Sequence, residues 1–260
     1  MEKQNTKSES IFSPSIQLLR NTFAIIKEAS GNLLLNVFFI ICLTFILFFF
    51  FGAIFYLGMN FNIIQNNYLF TFRFAWQAFF YIATFILGVM AQILIIKSLF
   101  DTKAKFITIL SSLKVYFANF LCLSILINLI FLVCSLPLYA GILLLALNNL
   151  ILGVTSIILA IALNIIVSVC LLFSSYILIE KNQSCISAIK ESYKLASKNF
   201  WQIIVRLFFL CVGLIIIFNI FTLISFWLPN IGAALSILLL IPVILFVFAY
   251  LFILYRNLKY

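Results

Sequence analysis

Three lysine–asparagine pairs recur along the chain, each with the same five-residue spacing and each followed by an apolar run. The pairs are Lys27 with Asn32, Lys114 with Asn119, and Lys194 with Asn199. A lysine ammonium is a compact charge suited to phosphate groups, and an asparagine side chain often hydrogen-bonds the backbone where a helix ends or turns. The pattern therefore predicts phosphate contacts beside three helix hinges.

The third pair has the densest basic surroundings. Lys190 and Lys198 lie in the same segment, and Arg206 follows Asn199 by seven residues, or roughly 10 Å along a helix. An ionisable group within an apolar run suggests a function, although a guanidinium at this depth also reaches the headgroups by snorkelling. The candidate contacts to lipid phosphate are Lys27, Lys114, Lys190, Lys194, Lys198 and Arg206.

Neutral polar residues also interrupt the apolar runs. The candidate intramembrane polar contacts are Gln92, Asn128, Asn164 and Asn219. Such amides either line a transport path or form hydrogen bonds between helices. The sequence favours packing but leaves both alternatives open.

Catalytic motifs are missing from the sequence. It contains no histidine, so histidine-dependent triads and histidine-bearing zinc sites are impossible. It also contains no GxSxG elbow, Walker A loop or DxxD cluster. Its six cysteines form no CxxC pair, which gives no indication of a metal site or of a disulfide framework. We predict a protein that is not an enzyme and has no cofactor or metal.

The composition is that of an integral membrane protein. In 260 residues, 66% are hydrophobic and 8% charged, with a mean hydropathy of +1.29, more than a soluble core of this size can bury. The formal net charge is +10. Because the basic residues lie between apolar runs, they indicate anionic lipid headgroups rather than nucleic acid as the partner.

The apolar runs are long enough to span a bilayer six times. A hydrocarbon core of about 30 Å needs roughly 20 residues of helix. The sequence thus predicts one all-α membrane domain, a polytopic helical bundle. Its predicted spans are 33–58, 74–96, 119–147, 150–179, 200–228 and 231–255. Only Asn148-Asn149 separates the third span from the fourth, and a re-entrant segment starting at Pro137 is the alternative.

Lysine and arginine residues are distributed unevenly between the two sides of the predicted bundle. They concentrate in the 1–31 tail, in loops 97–118 and 180–199 and at the C-terminus, whereas the opposite side carries only Arg73. By the positive-inside rule, both termini and both loops are cytoplasmic in a multi-pass protein of the cell membrane.

The segment before each asparagine is amphipathic. Apolar residues recur there at intervals of three or four, with lysines and serines mostly on the other face, which predicts interfacial helices on the inner leaflet. Ser184 is a predicted helix cap. The asparagines are 87 and 80 residues apart, so each interval has room for one such helix and two spans. A threefold repeat is the interpretation; unrelated basic loops rich in lysine and asparagine are the alternative.

Two segments carry a resemblance to a known family. They are residues 180–210, EKNQSCISAIKESYKLASKNFWQIIVRLFFL, and a weaker echo at 100–125, FDTKAKFITILSSLKVYFANFLCLSI. The chain resembles a group of six-span membrane proteins that includes the membrane domain attached to some glycerophosphoryl diester phosphodiesterases. The resemblance implies a fold and a membrane location. The catalytic barrel of those enzymes is absent, so it implies no catalytic residues.

Two functions fit these features. The first is a non-enzymatic membrane protein that is lipid-associated or accessory to another membrane protein, either with such a partner or as a homo-oligomer. The alternative is the permease component of a transporter, with the 180–199 loop presenting a coupling helix to a separate cytoplasmic ATPase.

Overall fold

The computed structural model describes residues 12–60, 69–227 and 229–259. Within these ranges it is helical, without strands. The helices are α1 (Phe12–Asn60), α2 (Leu69–Phe100), α3 (Phe106–Ala146), α4 (Leu150–Leu171), α5 (Ser174–Lys181), α6 (Cys185–Lys198), α7 (Phe200–Trp227) and α8 (Pro229–Lys259). The prediction of an all-α bundle is confirmed.

Six helical stretches are long and apolar enough to cross a membrane. Within the described residues they are Gln17–Leu47, Ala75–Phe100, Phe106–Ala146, Leu150–Lys181, Phe200–Leu223 and Leu240–Lys259. The number of spans therefore agrees with the sequence prediction. The fourth stretch consists of two helices, α4 and α5, and the third begins well before the predicted position 119.

The turn between α3 and α4 lies where the sequence placed it. Asn148 adopts a positive φ of 63°, a left-handed conformation that asparagine tolerates better than most residues. The Asn149 N–H donates to the carbonyl oxygen of Leu144 at 2.9 Å. Helix α3 continues through Pro137, so the alternative of a re-entrant segment there is wrong.

Two glycines allow α3 and α4 to approach closely. A Cβ atom added at Gly141 would lie 2.8 Å from the Gly153 carbonyl oxygen, and one added at Gly153 would lie 3.0 Å from the Gly141 oxygen. The backbones thus occupy space that any side chain would fill, as small residues allow between membrane helices. This contact holds α3 and α4 together within the helical part of the hairpin.

The predicted hinge occurs at only one of the three asparagines. Asn199 ends α6, and α7 begins at the next residue. The prediction is wrong at Asn32 and Asn119, which lie inside the unbroken helices α1 and α3. Asparagine lowers helix propensity only modestly, so an apolar run on each side carries the helix through it. With 49 residues, α1 is roughly 74 Å long.

The apolar stripe of each amphipathic segment packs into the protein. Ala29, Phe120 and Ala196, one from each copy, are fully buried. The lysines at 27, 114 and 194 lie on exposed faces, as the periodicity predicted. These segments therefore bury part of each stripe against neighbouring helices, whereas Ile186 and Tyr193 of the third stripe stay exposed.

The helices follow one another around the bundle. Helix α1 packs against α2 and α8, α2 against α3, α3 against α4, and α7 against α8, while α6 packs against α4 and α5. The largest buried side chains are Tyr250, Tyr255, Phe120, Phe173 and Phe252. They lie towards the end of the bundle where α1 begins and α8 finishes. We call this the basic end, because it also carries the α2–α3 loop, α6 and most of the lysines.

Helix α6 supplies hydrogen bonds where the fourth membrane crossing is interrupted. Residues 172–173 separate α4 from α5. The Phe173 N–H donates to the Ser192 hydroxyl at 3.2 Å, and that hydroxyl donates to the Cys170 carbonyl oxygen at 2.7 Å. Ser192 is fully buried, so one α6 side chain serves two backbone groups that the break would otherwise leave unpaired.

The start of α6 is also held in place. Ser184 is its N-cap residue in an extended conformation, as predicted, although its side chain makes no capping hydrogen bond. The thiol of the next residue, Cys185, lies 2.7 Å from the thiol of Cys122 in α3, and both cysteines are free. Helix α6 therefore contacts α3 as well as α4 and α5.

Candidate lipid-phosphate site

A basic pocket opens between α5, α6 and α8. Its volume is about 220 Å³. Its lining residues are Ile177 and Lys181 from α5, Glu191, Lys194, Leu195 and Lys198 from α6, and Tyr255 and Lys259 from α8. Four lysines thus converge from three helices, with an apolar floor beneath them.

Two of the four lysines are held by carboxylates. Lys181 forms an ion pair with Glu191, and Lys259 forms one with Glu180 at 2.8 Å. Tyr255 also donates its hydroxyl to Glu180. These side chains are roughly one-quarter to one-third exposed, so solvent weakens each pair and their value lies more in orientation than in stability.

The other two lysines have no carboxylate partner in the described residues. Lys194 and Lys198 lie one helical turn apart on α6, and both are exposed at the rim of the pocket. Four lysines against Glu180 and Glu191 leave a net charge of +2. An anion of matching size is the natural ligand of such an arrangement.

One pocket atom lacks a hydrogen-bond partner. The Oε1 atom of Glu191 pairs with Lys181, whereas Oε2 is buried without a partner among the described residues. The pocket thus presents cationic donors for a phosphate, and Oε2 has too little accessible surface to contact a ligand.

The structure brings together two of the six basic residues that the sequence singled out. Lys194 and Lys198 share the pocket. Lys190 is exposed elsewhere on α6, Lys27 on α1 and Lys114 on α3. These three lie outside the pocket, with Lys190 one helical turn from Lys194.

Arg206 lies apart from the pocket, on α7. Its side chain is half-buried, and its Nη1 atom is buried without a hydrogen-bond partner in residues 12–60, 69–227 and 229–259. Its backbone carbonyl accepts a hydrogen bond from the Tyr250 hydroxyl at 3.0 Å. The surroundings of Arg206 therefore differ from those of the pocket lysines.

The four intramembrane amides do not converge on one cavity. Asn164 donates to the carbonyl oxygens of Cys134 and Ala160 at 3.3 and 2.8 Å, which ties α4 to α3. Asn128 and Asn219 are exposed and donate to backbone carbonyls of their own helices. Gln92 is half-buried in α2. None of the four lines the basic pocket or either of two other cavities formed by described residues.

Sequence reasoning missed Lys181 and Lys259 as pocket residues. Lys181 belongs to the basic 180–199 loop, and that clustering was the available signal. Lys259 joins through Glu180, which is 79 residues away in sequence. No local pattern identifies such a partner.

A polar clamp at the basic end was also unforeseen. Asn32 donates to the carbonyl oxygens of Thr102 and Ala104 at 3.2 and 2.8 Å, and so holds the α2–α3 loop. One turn later, buried Asn36 donates to the Ser98 hydroxyl at 2.5 Å. The first asparagine therefore bonds a neighbouring segment.

Comparisons with protein-family models, with curated proteins and with solved structures found no match to this chain. The resemblance to the membrane domain of glycerophosphoryl diester phosphodiesterases stays a prediction.

Proposed function

We propose that this protein is a lipid-associated membrane protein that binds anionic phospholipid headgroups in the basic pocket. The observation that supports this most directly is the convergence of four lysines from three helices on one cavity of about 220 Å³. A single exposed lysine would not by itself indicate a binding site. Convergence from separate segments orients several charges towards one ligand.

The four lysines differ in whether a carboxylate pairs with them, and this difference supports a phosphate ligand. Lys181 and Lys259 are oriented by Glu191 and Glu180, and Lys194 and Lys198 have no described carboxylate partner. Paired lysines define the pocket walls, while unpaired ones keep their donors for an incoming anion. Hydrogen bonds to ionised groups are about twice as strong as neutral ones.

The pocket's position fits a headgroup on the inner leaflet, given the predicted orientation. It lies at the end of α5 and α8, where the fourth and sixth crossings finish. The described residues give less support to the permease alternative, because Asn128, Asn164 and Asn219 donate to backbone carbonyls.

Lipid-dependent stabilisation of the purified full-length protein tests this proposal. We expect phosphatidylglycerol to raise the unfolding temperature in non-ionic detergent more than phosphatidylcholine does, because a ligand that binds only the folded state stabilises it. The double variant Lys194→Gln/Lys198→Gln should bind phosphatidylglycerol about tenfold more weakly, a loss of ~1.4 kcal/mol. Added salt should reduce the difference.

The matched control removes the same charge from another loop. Lys103 and Lys105 are exposed beside the α2–α3 turn and lie outside the pocket. Lys103→Gln/Lys105→Gln should leave the phosphatidylglycerol effect nearly intact. An equal loss in both double variants would mean that net surface charge alone attracts the lipid, and the proposal would fail.

A further inference from the structure

An apolar groove lies between α1, α7 and α8, away from the basic pocket. Its volume is about 290 Å³. Its walls are Leu19 and Phe23 from α1, Phe209, Leu210, Gly213, Leu214 and Ile217 from α7, and Phe246 and Tyr250 from α8. Among the described residues, α1 and α7 each pack against α8 but have little contact with each other, so the groove is open between them.

A glycine keeps the groove open. A Cβ atom added at Gly213 would have no heavy atom within 4 Å, in contrast to Gly141 and Gly153 in the α3–α4 contact. Phe23 remains 62% exposed although its ring contacts that of Phe246 at a centroid distance of 5.4 Å. The described protein residues leave this space unfilled.

A cation lies at the end of the groove nearest the basic end. Arg206, Leu210, Gly213 and Ile217 are spaced by four, three and four residues, which places them on one face of α7. Arginine side chains in a helix lean towards its N-terminus, so the guanidinium leans from the groove towards the basic end. Its Nη1 is buried and has no hydrogen-bond partner in the part of the chain that the structure describes.

We propose that this groove binds one acyl chain of an anionic phospholipid, with the lipid phosphate paired to Arg206. Apolar walls suit a hydrocarbon chain, and the half-buried guanidinium of Arg206, whose Nη1 has no hydrogen-bond partner among the described residues, favours an anion beside it. The Tyr250 hydroxyl donates to the Arg206 carbonyl and adds no negative charge. Charge complementarity therefore selects a lipid with net negative charge.

The groove's size fits one chain better than a helix of a partner protein. At about 290 Å³ it lies at the lower limit of small-molecule sites, whereas a helix with side chains is roughly 10 Å across. The inference shares with the proposed function only the class of ligand. It concerns a second site on different helices.

Native mass spectrometry of the detergent-extracted full-length protein, with added phosphatidylglycerol or phosphatidylcholine, tests the inference. Gly213→Leu should fill the groove and remove one tightly retained lipid. Gly88→Leu is the matched control, because a Cβ at Gly88 also has no atom within 4 Å and Gly88 lies outside the groove. Retention in this control should equal that of the unmodified protein.

Arg206→Gln tests the headgroup contact without filling the groove. We expect it to lower the preference for phosphatidylglycerol over phosphatidylcholine about tenfold at this site, with Arg206→Lys preserving most of it. Equal retention in Gly213→Leu and the unmodified protein would overturn the inference. So would an unchanged headgroup preference in Arg206→Gln, which stays informative even if Gly213→Leu fails to fold.

The same spectra separate the two proposals. Lys194→Gln/Lys198→Gln should leave the groove lipid in place. If that variant lost lipid while Gly213→Leu and Arg206→Gln did not, the basic pocket would stand and the groove would fail. If instead Gly213→Leu and Arg206→Gln lost lipid while Lys194→Gln/Lys198→Gln did not, only the groove site would be supported.

Discussion

The first and third copies of the lysine–asparagine pattern begin alike and end differently. In the first, α1 runs unbroken through Asn32, whose amide holds the neighbouring α2–α3 loop. In the third, Asn199 ends a helix and donates to Leu195 of its own segment. There Ser192 holds the neighbouring backbone instead. A recurring polar residue thus marks a position in the chain, while its tertiary surroundings decide its role.

The largest effect is expected from removing the bridge in the third copy. Ser192→Ala leaves the Phe173 N–H and the Cys170 carbonyl without their buried partner, which should lower the free energy of unfolding by about 2 kcal/mol. Denaturation in mixed micelles measures this. Ser187→Ala is the matched control, since Ser187 is half-buried and its hydroxyl bonds only to Gln183. Equal losses of unfolding free energy in the two variants would show that Ser192 does not bridge the two backbone groups.

Removing the clamp in the first copy should have a smaller effect. Asn32→Ala deletes two donors to loop carbonyls in a partly buried setting and should cost about 1 kcal/mol. Asn32→Asp should cost more, because its carboxylate both fails to donate and places a negative charge against two carbonyl oxygens. Hydrogen exchange in residues 101–105 should accelerate in both variants but not in Ser192→Ala. Unchanged exchange would refute the clamp.

The smallest effect is expected at the asparagine that ends α6. Asn199→Ala removes a hydrogen bond within one segment and introduces a better helix former. We expect the free energy of unfolding to change by less than about 0.5 kcal/mol, measured as above. Asn119→Ala, inside unbroken α3, is the control. A loss at Asn199 larger than that at Asn32 would reverse the comparison between the copies.

The sequence predicted what depends on neighbouring residues. Hydropathy located six crossings, the Asn148-Asn149 pair marked the α3–α4 turn, and helical periodicity placed Lys114 opposite buried Phe120. Each of these follows from residues within a few turns of one another. The structure agrees in each case.

The contacts that the sequence did not predict are separated by long stretches of chain. Asn32 and its acceptor Ala104 are 72 residues apart, and Lys259 and Glu180 are 79 apart. Hydropathy does not predict such pairings, because it depends on the type of each residue and not on which residue its side chain contacts. Arg206 was singled out only for its depth, and the groove beside it depends on how little α1 and α7 contact each other, which no local pattern indicates.

The glycine contact between α3 and α4 has a consequence for how the chain is made. Gly141 and Gly153 are only twelve residues apart, so bringing them together costs little loop entropy. The heavy atoms nearest to these two glycines all belong to α3 and α4. We therefore expect the hairpin to assemble early during synthesis, before the later helices pack against it.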